Sequence, residues 1–405
     1  MSDRTASSSW SRPEALAVAC AALMFALTLG IRQSQALFIG PLNTATGLGL
    51  ASISLAFGIG QLAWGFAQPL AGAAAARWGT TPVLVIGALM VAAGTALTPY
   101  ADSLMSLVLL IGVLGAGGAG VAGPSILMAA VNRVVPLERR GIASGLVNAG
   151  GSFGQFTVVP LAQLLMGTAG WASALLMLGA AATLVVPLAL MLRAGAGDGA
   201  ATAAPEADVR IRDAVRDRNF HLVFAGFFVC GFHVAFIATH LPGVVAACGL
   251  PPSVGAWSLA LIGLFNMAGS LGIGWAVGRW RSKSLLSLLY ASRAVAVLAF
   301  LAAPKTELTF VLFSAVIGLT YLSTVPPTAG LVAKFYGPRN MATLFGVVMM
   351  SHQVGGFLGA WLGGKAFEAT GSYDWMWYAD IALALAAALV HLPIREAAVL
   401  RARPA

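Results

Sequence analysis

Two matching stretches of the chain decide its fold. Residues 14–40 read EALAVACAALMFALTLGIRQSQALFIG, and residues 219–247 read NFHLVFAGFFVCGFHVAFIATHLPGVVAA. Each is long enough to cross a bilayer, because a transmembrane helix needs about 20 mostly apolar residues. Aligned at an offset of about 201, the two stretches place Gly30 against Gly231. They predict two membrane helices that begin the two halves of an internal repeat.

The composition predicts a membrane protein outside these stretches as well. Of 405 residues, 59% are apolar and only 9% are charged, with a mean hydropathy of +0.87. A soluble domain carries about 25% charged residues, because its surface must face water. Lipid must therefore be the solvent for most of this chain.

Apolar runs separated by short hydrophilic gaps predict an all-α membrane protein with twelve transmembrane helices in two pseudo-symmetric six-helix bundles. The bundles comprise residues 1–193 and 219–405, joined by a cytoplasmic linker at 194–218. The predicted helices span 14–40, 51–76, 81–100, 103–131, 140–168, 171–193, 219–247, 253–278, 284–303, 308–333, 340–366 and 375–394.

Further residues recur at the same offset of about 201, which supports the two-bundle interpretation. The matched pairs are Pro41 with Pro242, Arg77–Trp78 with Arg279–Trp280, Gly145 with Gly346, and Gly154 with Gly355.

The formal net charge of +9 follows membrane topology and does not indicate nucleic-acid binding. One alternating set of gaps, with the two tails, holds nearly all the basic residues, and the opposite set holds only Lys305 and Lys365. This asymmetry places both termini in the cytoplasm and predicts a multi-pass protein of the cytoplasmic (inner) membrane. The basic residues of the cytoplasmic set are Arg4, Arg12, Arg77, Arg133, Arg139, Arg140, Arg193, Arg210, Arg212, Arg216, Arg218, Arg279, Arg281, Lys283, Lys334, Arg339, Arg395, Arg401 and Arg403.

The three cysteines, Cys20, Cys230 and Cys248, are an odd number and far apart, and two of them lie within apolar runs, so they indicate neither a disulfide framework nor a metal-ligand spacing. They are interpreted as packing residues. The first apolar run continues past signal-peptide length and lacks a cleavage site, which predicts that it is retained.

The repeat resembles the architecture of major facilitator superfamily transporters. That resemblance implies a substrate near the membrane midplane, held between halves that rock to alternate access. The loop motif of the superfamily after the second helix is only partly present. Gly72, Arg77 and Gly79 match it, whereas Ala76 replaces its Asp and Thr80–Thr81 replace its basic pair.

Within the superfamily, the chain resembles the monocarboxylate transporter branch and its bacterial relatives. Residues 32–38 resemble a first-helix segment in which that branch has a functional Lys, here Arg32, and residues 139–146 resemble its entry to the fifth helix. Residues 263–270 resemble its eighth-helix segment, but Asn266 and Ser270 replace the Asp and Arg that handle the proton and the carboxylate there.

Two arginines interrupt the apolar runs, and an ionisable group inside a membrane span is a functional candidate because its burial is costly. Arg32 is the first candidate for substrate binding, since a guanidinium matches a carboxylate in shape. The alternative is an arginine near the outer end of its helix that snorkels to the interface. The repeat makes His233 its counterpart. Arg293 is expected to bond the carbonyls of neighbouring helices, because the resemblance places the ninth helix at the periphery; a role in the substrate site is the alternative.

Polar residues of other spans complete the candidate set, and each has an interhelical hydrogen bond as its alternative role. Histidines can also handle protons near neutral pH, and prolines kink helices. The expected substrate-binding residues are Arg32, Gln35, Gln61, Asn148, His233, Asn266, Tyr321 and His352; the proton-coupling candidates are His233, His240 and His352; and the structural or gating residues are Arg77, Pro124, Arg140, Arg293, Pro326 and Arg339.

The scarcity of acidic residues in the predicted spans indicates the charge of the substrate. Only Asp380 among the acidic residues falls within a predicted span, near the outer end of the last helix. A cavity with cations and no carboxylate favours an anion, because an uncompensated buried cation gains most from a negative partner. The sequence therefore predicts a monomeric secondary transporter of a small mono- or dicarboxylate, with proton symport, uniport or exchange left open.

Two alternatives remain at this point. One is an exporter of a neutral or amphiphilic metabolite or drug. The other is a membrane enzyme, against which no nucleophile–base pair, metal spacing or phosphate loop is found. No metal and no cofactor are expected.

Overall fold

A computed structural model describes residues 10–194 and 211–396, which form helices and turns with no strand among them. Ten helices in this part of the chain are long and apolar enough to cross a membrane. With two further long helices they are labelled in chain order as α1 Arg12–Thr46, α2 Leu50–Trp78, α3 Thr80–Tyr100, α4 Leu104–Val131, α5 Arg140–Ala169, α6 Trp171–Leu192, α7 Arg218–Ala247, α8 Pro252–Val277, α9 Ser282–Ala302, α10 Glu307–Gly337, α11 Thr343–Thr370 and α12 Asp374–His391.

The predicted linker lies mostly outside the described residues. Its last part contains a short helical turn, Ile211–Ala214, before α7 begins. For the central residues of this segment, the sequence shows a hydrophilic composition.

Helix α1 is longer than predicted. A capping box formed by Ser11 and Glu14 starts it, since each side chain bonds the other residue's backbone N–H. The prediction ended near Gly40, but the chain tightens into a 3-10 turn over Gln35–Phe38 and continues as α-helix. It stops only at Gly47, whose φ of +66° is the left-handed conformation that ends helices.

Helices α4 and α10 are interrupted at corresponding places of the repeat. Helix α4 contains a π-helical stretch, Val108–Gly117, and breaks at Ala122 and Gly123 just before Pro124. Helix α10 breaks over residues 321–324, just before Pro326 and Pro327. The break frees backbone carbonyls, which need partners elsewhere.

Glycines bring α1 into backbone contact with α5, and α7 into backbone contact with α11. A methyl group at Gly150 would lie 2.5 Å from the Ala22 carbonyl oxygen, and one at Gly154 would lie closer still to the Ala26 carbonyl oxygen. In the second half, Gly355 is pressed in the same way against Phe228. These glycines form packing seams between the paired helices.

Helices α1–α6 and helices α7–α12, called the first and second half below, contact each other along two helix pairs, α2 with α11 and α5 with α8. The contact between α2 and α11 extends from Ser54, which lies beside Gly364, to Gly65, which lies beside Gln353. Beyond that level, toward the helix ends that carry Arg77 and Arg140, the halves separate. A methyl group on any of six glycines at these ends would meet no atom within 4 Å; they are Gly72, Gly141, Gly145, Gly272, Gly274 and Gly346.

Candidate functional site

A small cavity lies where α1, α2, α4 and α7 converge. Its volume is about 30 Å³, which leaves room for about two water molecules. The lining residues are Arg32, Gln33, Gln35, Ala36, Phe57, Gly60, Gln61, Ile111, Ala116, Ala238 and Thr239. Its walls thus combine one guanidinium and three side-chain amides with apolar and aromatic surface.

Arg32 is the charged group of this cavity. It lies about 30 Å along α1 from Arg12 at about 1.5 Å per residue, close to the middle of the helix. Its Nη2 donates to Gln61 Oε1 at 2.7 Å, and its guanidinium carbon lies 5.4 Å from the centre of the Trp64 ring. The side chain is half-buried and points into the protein, not outward to the interface.

No acid compensates Arg32 among the described residues that line the cavity. Its partners are a neutral amide and an aromatic face, which leave the full positive charge in the cavity. A bound anion would gain this charge at short range in a poorly solvated place, where charge-assisted hydrogen bonds are strongest.

Glutamines extend from the cavity to both sides. Gln33 Nε2 donates to Gln155 Oε1 at 3.4 Å, and Gln155 Nε2 donates to the carbonyl oxygen of Leu259 on α8 at 2.8 Å. Gln35 Nε2 donates to Thr95 Oγ1 of α3 at 3.3 Å. The sequence prediction included Gln35 and Gln61 but missed Gln33, because a regular helix turns position 33 away from position 35.

Tyr321 and Asn266 stand at the break of α10. The hydroxyl of Tyr321 donates to the carbonyl oxygen of Val234 at 3.1 Å and lies close to Arg32 and Gln33. Asn266 Nδ2 donates to Ser152 Oγ at 2.9 Å, and its Oδ1 accepts from the backbone N–H of Leu322 at 3.0 Å. Asn266 therefore joins the broken helix to α5 and does not line the cavity.

His233 does not line the cavity with Arg32. Its Nδ1 lies 2.6 Å from Asp380 Oδ2 of α12, and the two side chains are 1% and 0% exposed. The repeat places His233 at the height of Arg32 but does not determine where its side chain points. Asp380 is the seventh residue of α12 and is completely buried, which a position near the outer end did not suggest.

The other predicted histidines and Asn148 are dispersed. The ring of His240 is buried, with Nε2 2.6 Å from the carbonyl oxygen of Ala360. His352 is half-buried, and its ring centre lies 5.0 Å from that of Phe227. Asn148 is exposed on α5.

Arg293 holds the free carbonyls at the break of α10. Its Nη2 donates to the carbonyl oxygens of Thr320 and Tyr321, the latter at 2.7 Å. Its Nη1 donates to Cys230 Sγ at 3.6 Å. The guanidinium is 1% exposed and belongs to the interior of the second half.

The remaining gating candidates lie at helix ends. Arg140 donates to the carbonyl oxygens of Val135 and Asn132, at 3.2 and 2.8 Å, just beyond the end of α4. Arg77 is exposed at the end of α2. Pro124 and Pro326 begin the helices that follow the two breaks. The side chain of Arg339 lies outside the described residues.

Comparison with known proteins identifies the family. The family model of the Major Facilitator Superfamily matches residues 15–360 and 249–405. Monocarboxylate transporter 13 of Rattus norvegicus is 26% identical over 86% of this chain and 81% of its own length. The oxalate:formate antiporter of Oxalobacter formigenes is 25% identical over 61% of this chain and 59% of its own length.

Among solved structures, that of the nucleoside transporter NupG superposes with a TM-score of 0.75 at 14% identity, covering 95% of this chain and all of that one. At this identity the likeness concerns the fold alone. Since the family model covers nearly the whole chain and the relatives are transporters, the protein is a multi-pass membrane transporter of a small molecule and not an enzyme, and it belongs to the Major Facilitator Superfamily.

Proposed function

We propose that the protein moves a small organic anion, a mono- or dicarboxylate, across the cytoplasmic membrane by alternating access. The observation that carries this proposal is the uncompensated charge of Arg32 in the cavity between the halves. The carboxylate replaces Gln61 as the partner of the guanidinium, and the amides of Gln33 and Gln35 can donate to its oxygens.

The proposal includes the arrangement in the membrane. Helices α1–α12 are taken as twelve spans in two six-helix halves, residues 1–193 and 219–405, with the linker 194–218 and both termini in the cytoplasm. The separated helix ends then face the cytoplasm, because they carry Arg77, Arg140 and Arg279. The described conformation is accordingly closed toward the outside and open inward, and the transporter acts as a monomer.

The contracted cavity fits this cycle. Its small volume of about 30 Å³ suits a site that widens when the substrate binds. In the proposed cycle α1 and α7 move apart on loading, as rocking of the halves would allow. The names of two relatives, a monocarboxylate transporter and an oxalate:formate antiporter, support an anionic substrate.

A ligand-stability screen tests the proposal. The purified protein is heated with formate, lactate, oxalate, succinate or benzoate, and we expect at least one of them to raise the Tm. In Arg32→Ala the affinity for that acid should fall by about 10- to 100-fold, because charge-assisted hydrogen bonds are worth about 1.5–3 kcal/mol each. Arg133→Ala, at an exposed arginine outside the cavity, is the matched control. Equal stabilisation of wild type and Arg32→Ala by every acid would contradict the proposal.

The amide-rich lining supports a second candidate, an exporter of a neutral or amphiphilic metabolite. Three glutamines and the partly buried rings of Phe57 and Trp64 suit a polar molecule with an apolar face. Such a ligand should bind Arg32→Ala nearly as well as wild type. Stabilisation by neutral amphiphiles, with none by the acids, would favour this candidate.

A further inference from the structure

Helices α7 and α12 bury an acid–base pair that the anion site does not use. His233 Nδ1 lies 2.6 Å from Asp380 Oδ2, and neither side chain reaches solvent. The second polar atom of each group has no hydrogen-bond partner; these atoms are His233 Nε2 and Asp380 Oδ1. Buried polar atoms are nearly always bonded, and an exception in a native structure calls for an explanation.

A purely structural role explains this pair poorly. A buried ion pair repays its desolvation only when the geometry is good and further hydrogen bonds satisfy the remaining atoms. Here only one contact is made, and apolar side chains of similar volume would pack at least as well in the surrounding core. The unused Nε2 is an atom where a proton can arrive and leave while Nδ1 keeps its bond to the carboxylate.

The neighbouring titratable groups are already engaged or stand at a distance along the helices. On α7, Cys230 lies one turn inward and bonds Thr324, while His240 lies two turns outward and bonds a carbonyl oxygen. On α9, Arg293 is held by carbonyls and the Cys230 thiol. Others on α9–α12 include Tyr290, which donates to Gly226; Tyr321, which donates to Val234; His391, which bonds Ala387; and His352, Asp374 and Tyr378. Nearer the helix ends lie Lys283, Glu307, Lys334, Tyr336, Lys365 and Glu368. Helix α8 contributes no titratable group.

The charge of the pair changes with one proton. With both ring nitrogens protonated, the imidazolium and the carboxylate sum to zero. Loss of the Nε2 proton leaves a neutral imidazole that donates through Nδ1 to the carboxylate, and the pair carries one negative charge. A net charge inside a low-dielectric core is costly, so release requires water to reach Nε2 in one conformation of the cycle.

We propose that the His233–Asp380 pair is a proton-binding site, with the proton exchanged at His233 Nε2, and that one proton moves with each substrate anion. This inference rests on the proposed function. A protonated pair lacks the negative charge that would oppose an anion near Arg32, so that each ligand favours the other, and such coupling is reciprocal. A monocarboxylate and its proton then cross together without net charge.

The path between the two sites is short. Ala238 and Thr239 of the cavity wall lie on the same helix as His233, with Ala238 about 7.5 Å farther along α7 at about 1.5 Å per residue. Val234, next to His233, accepts the hydrogen bond of Tyr321, whose ring lies close to Arg32. A shift of α7 that widens the cavity therefore moves the pair as well.

Transport in proteoliposomes tests the inference, with lactate or another of the five acids that wild type binds. We expect the accumulation driven by a pH gradient to fall at least tenfold in two variants, Asp380→Asn and the double variant His233→Gln with Asp380→Asn. Exchange of labelled for unlabelled acid should persist, because it needs no net proton movement. His240→Gln, at a buried histidine bonded to a carbonyl oxygen, is the matched control and should keep gradient-driven accumulation.

The inference is overturned if the two variants accumulate the acid like wild type, or if His240→Gln is the variant that loses accumulation. Should the variants not fold, wild type is titrated calorimetrically with the acid in two buffers of different ionisation enthalpy. Uptake of about one proton per bound anion supports the pair, and no proton uptake overturns it. If no acid binds wild type, the proposed function itself fails, which is a different result.

Discussion

Two arginines lie inside the helices, and their partners give them different roles. Arg32 bonds a side-chain amide at the edge of a cavity, so its partner can be exchanged for a ligand. Arg293 bonds backbone carbonyls that the break of α10 leaves free, and no ligand could replace these partners without unfolding the break. The first arginine can therefore serve binding, while the second stabilises the fold.

Removing the Arg293 guanidinium should destabilise the protein and leave the cavity around Arg32 unchanged. We expect Arg293→Met to cost about 3 kcal/mol, since two buried carbonyls lose a charged donor. Thermal unfolding in detergent measures this, with Arg133→Met at an exposed site as the control. A Tm equal to that of wild type would show that water or another side chain satisfies the carbonyls as well.

Sequence reasoning found individual polar residues more easily than their contacts. Arg32 stands out in an apolar run, and Gln61 follows from its helix. His233 was expected to assist Arg32, but its ring turns toward α12, because repeat symmetry determines backbone position and leaves the side-chain direction to the packing partners. Gln33 and Gln35 both line the cavity although a regular helix would point them apart, and no residue type indicates the 3-10 turn that begins at Gln35.

At the scale of elements, a carboxylate and glycines hold α2 and α11 together at the end of their interface near Leu50. Glu368 Oε2 of α11 accepts from the backbone N–H of Ala51, in the first turn of α2, at 3.0 Å. A carboxylate is stabilised there by the unpaired N–H groups and the helix dipole. Below it, Gly364 lets α11 approach Ser54, so that the two halves close tightly.

A methyl group at Gly364 should wedge this end open. Its Cβ would lie 2.6 Å from the Leu50 carbonyl oxygen and closer still to Ser54, so α2 and α11 must separate. We expect Gly364→Ala to lengthen the distance between spin labels placed by Ser52→Cys and Ala369→Cys, in a chain whose native cysteines are replaced by alanine. Gly346→Ala on the same helix, where a methyl group meets nothing within 4 Å, is the matched control. An unchanged distance distribution in Gly364→Ala would show that the contact yields without opening.

At the scale of the whole molecule, hydropathy predicted most of the architecture. The helices predicted from the sequence at 171–193 and 375–394 lie within a few residues of the observed helices Trp171–Leu192 and Asp374–His391. Interruptions were harder to foresee. The π-helical part of α4 is as apolar as any regular helix, so its hydrogen-bond register leaves no mark in the residue types. Prolines indicated the two breaks, because they cannot donate to the preceding turn.

Helix α12 has a consequence for the surrounding lipid. Its 18 residues extend about 27 Å, less than the roughly 30 Å of a typical hydrocarbon core. If α12 is one of the twelve spans, as proposed above, its shortness is accommodated by local thinning of the bilayer, at a cost that rises with acyl-chain length. Since Asp380 lies on this helix, strain in the membrane acts directly on the helix that carries it. We therefore expect transport to be faster in vesicles of 14-carbon than of 22-carbon monounsaturated phosphatidylcholine, so that the choice of membrane itself tunes the rate.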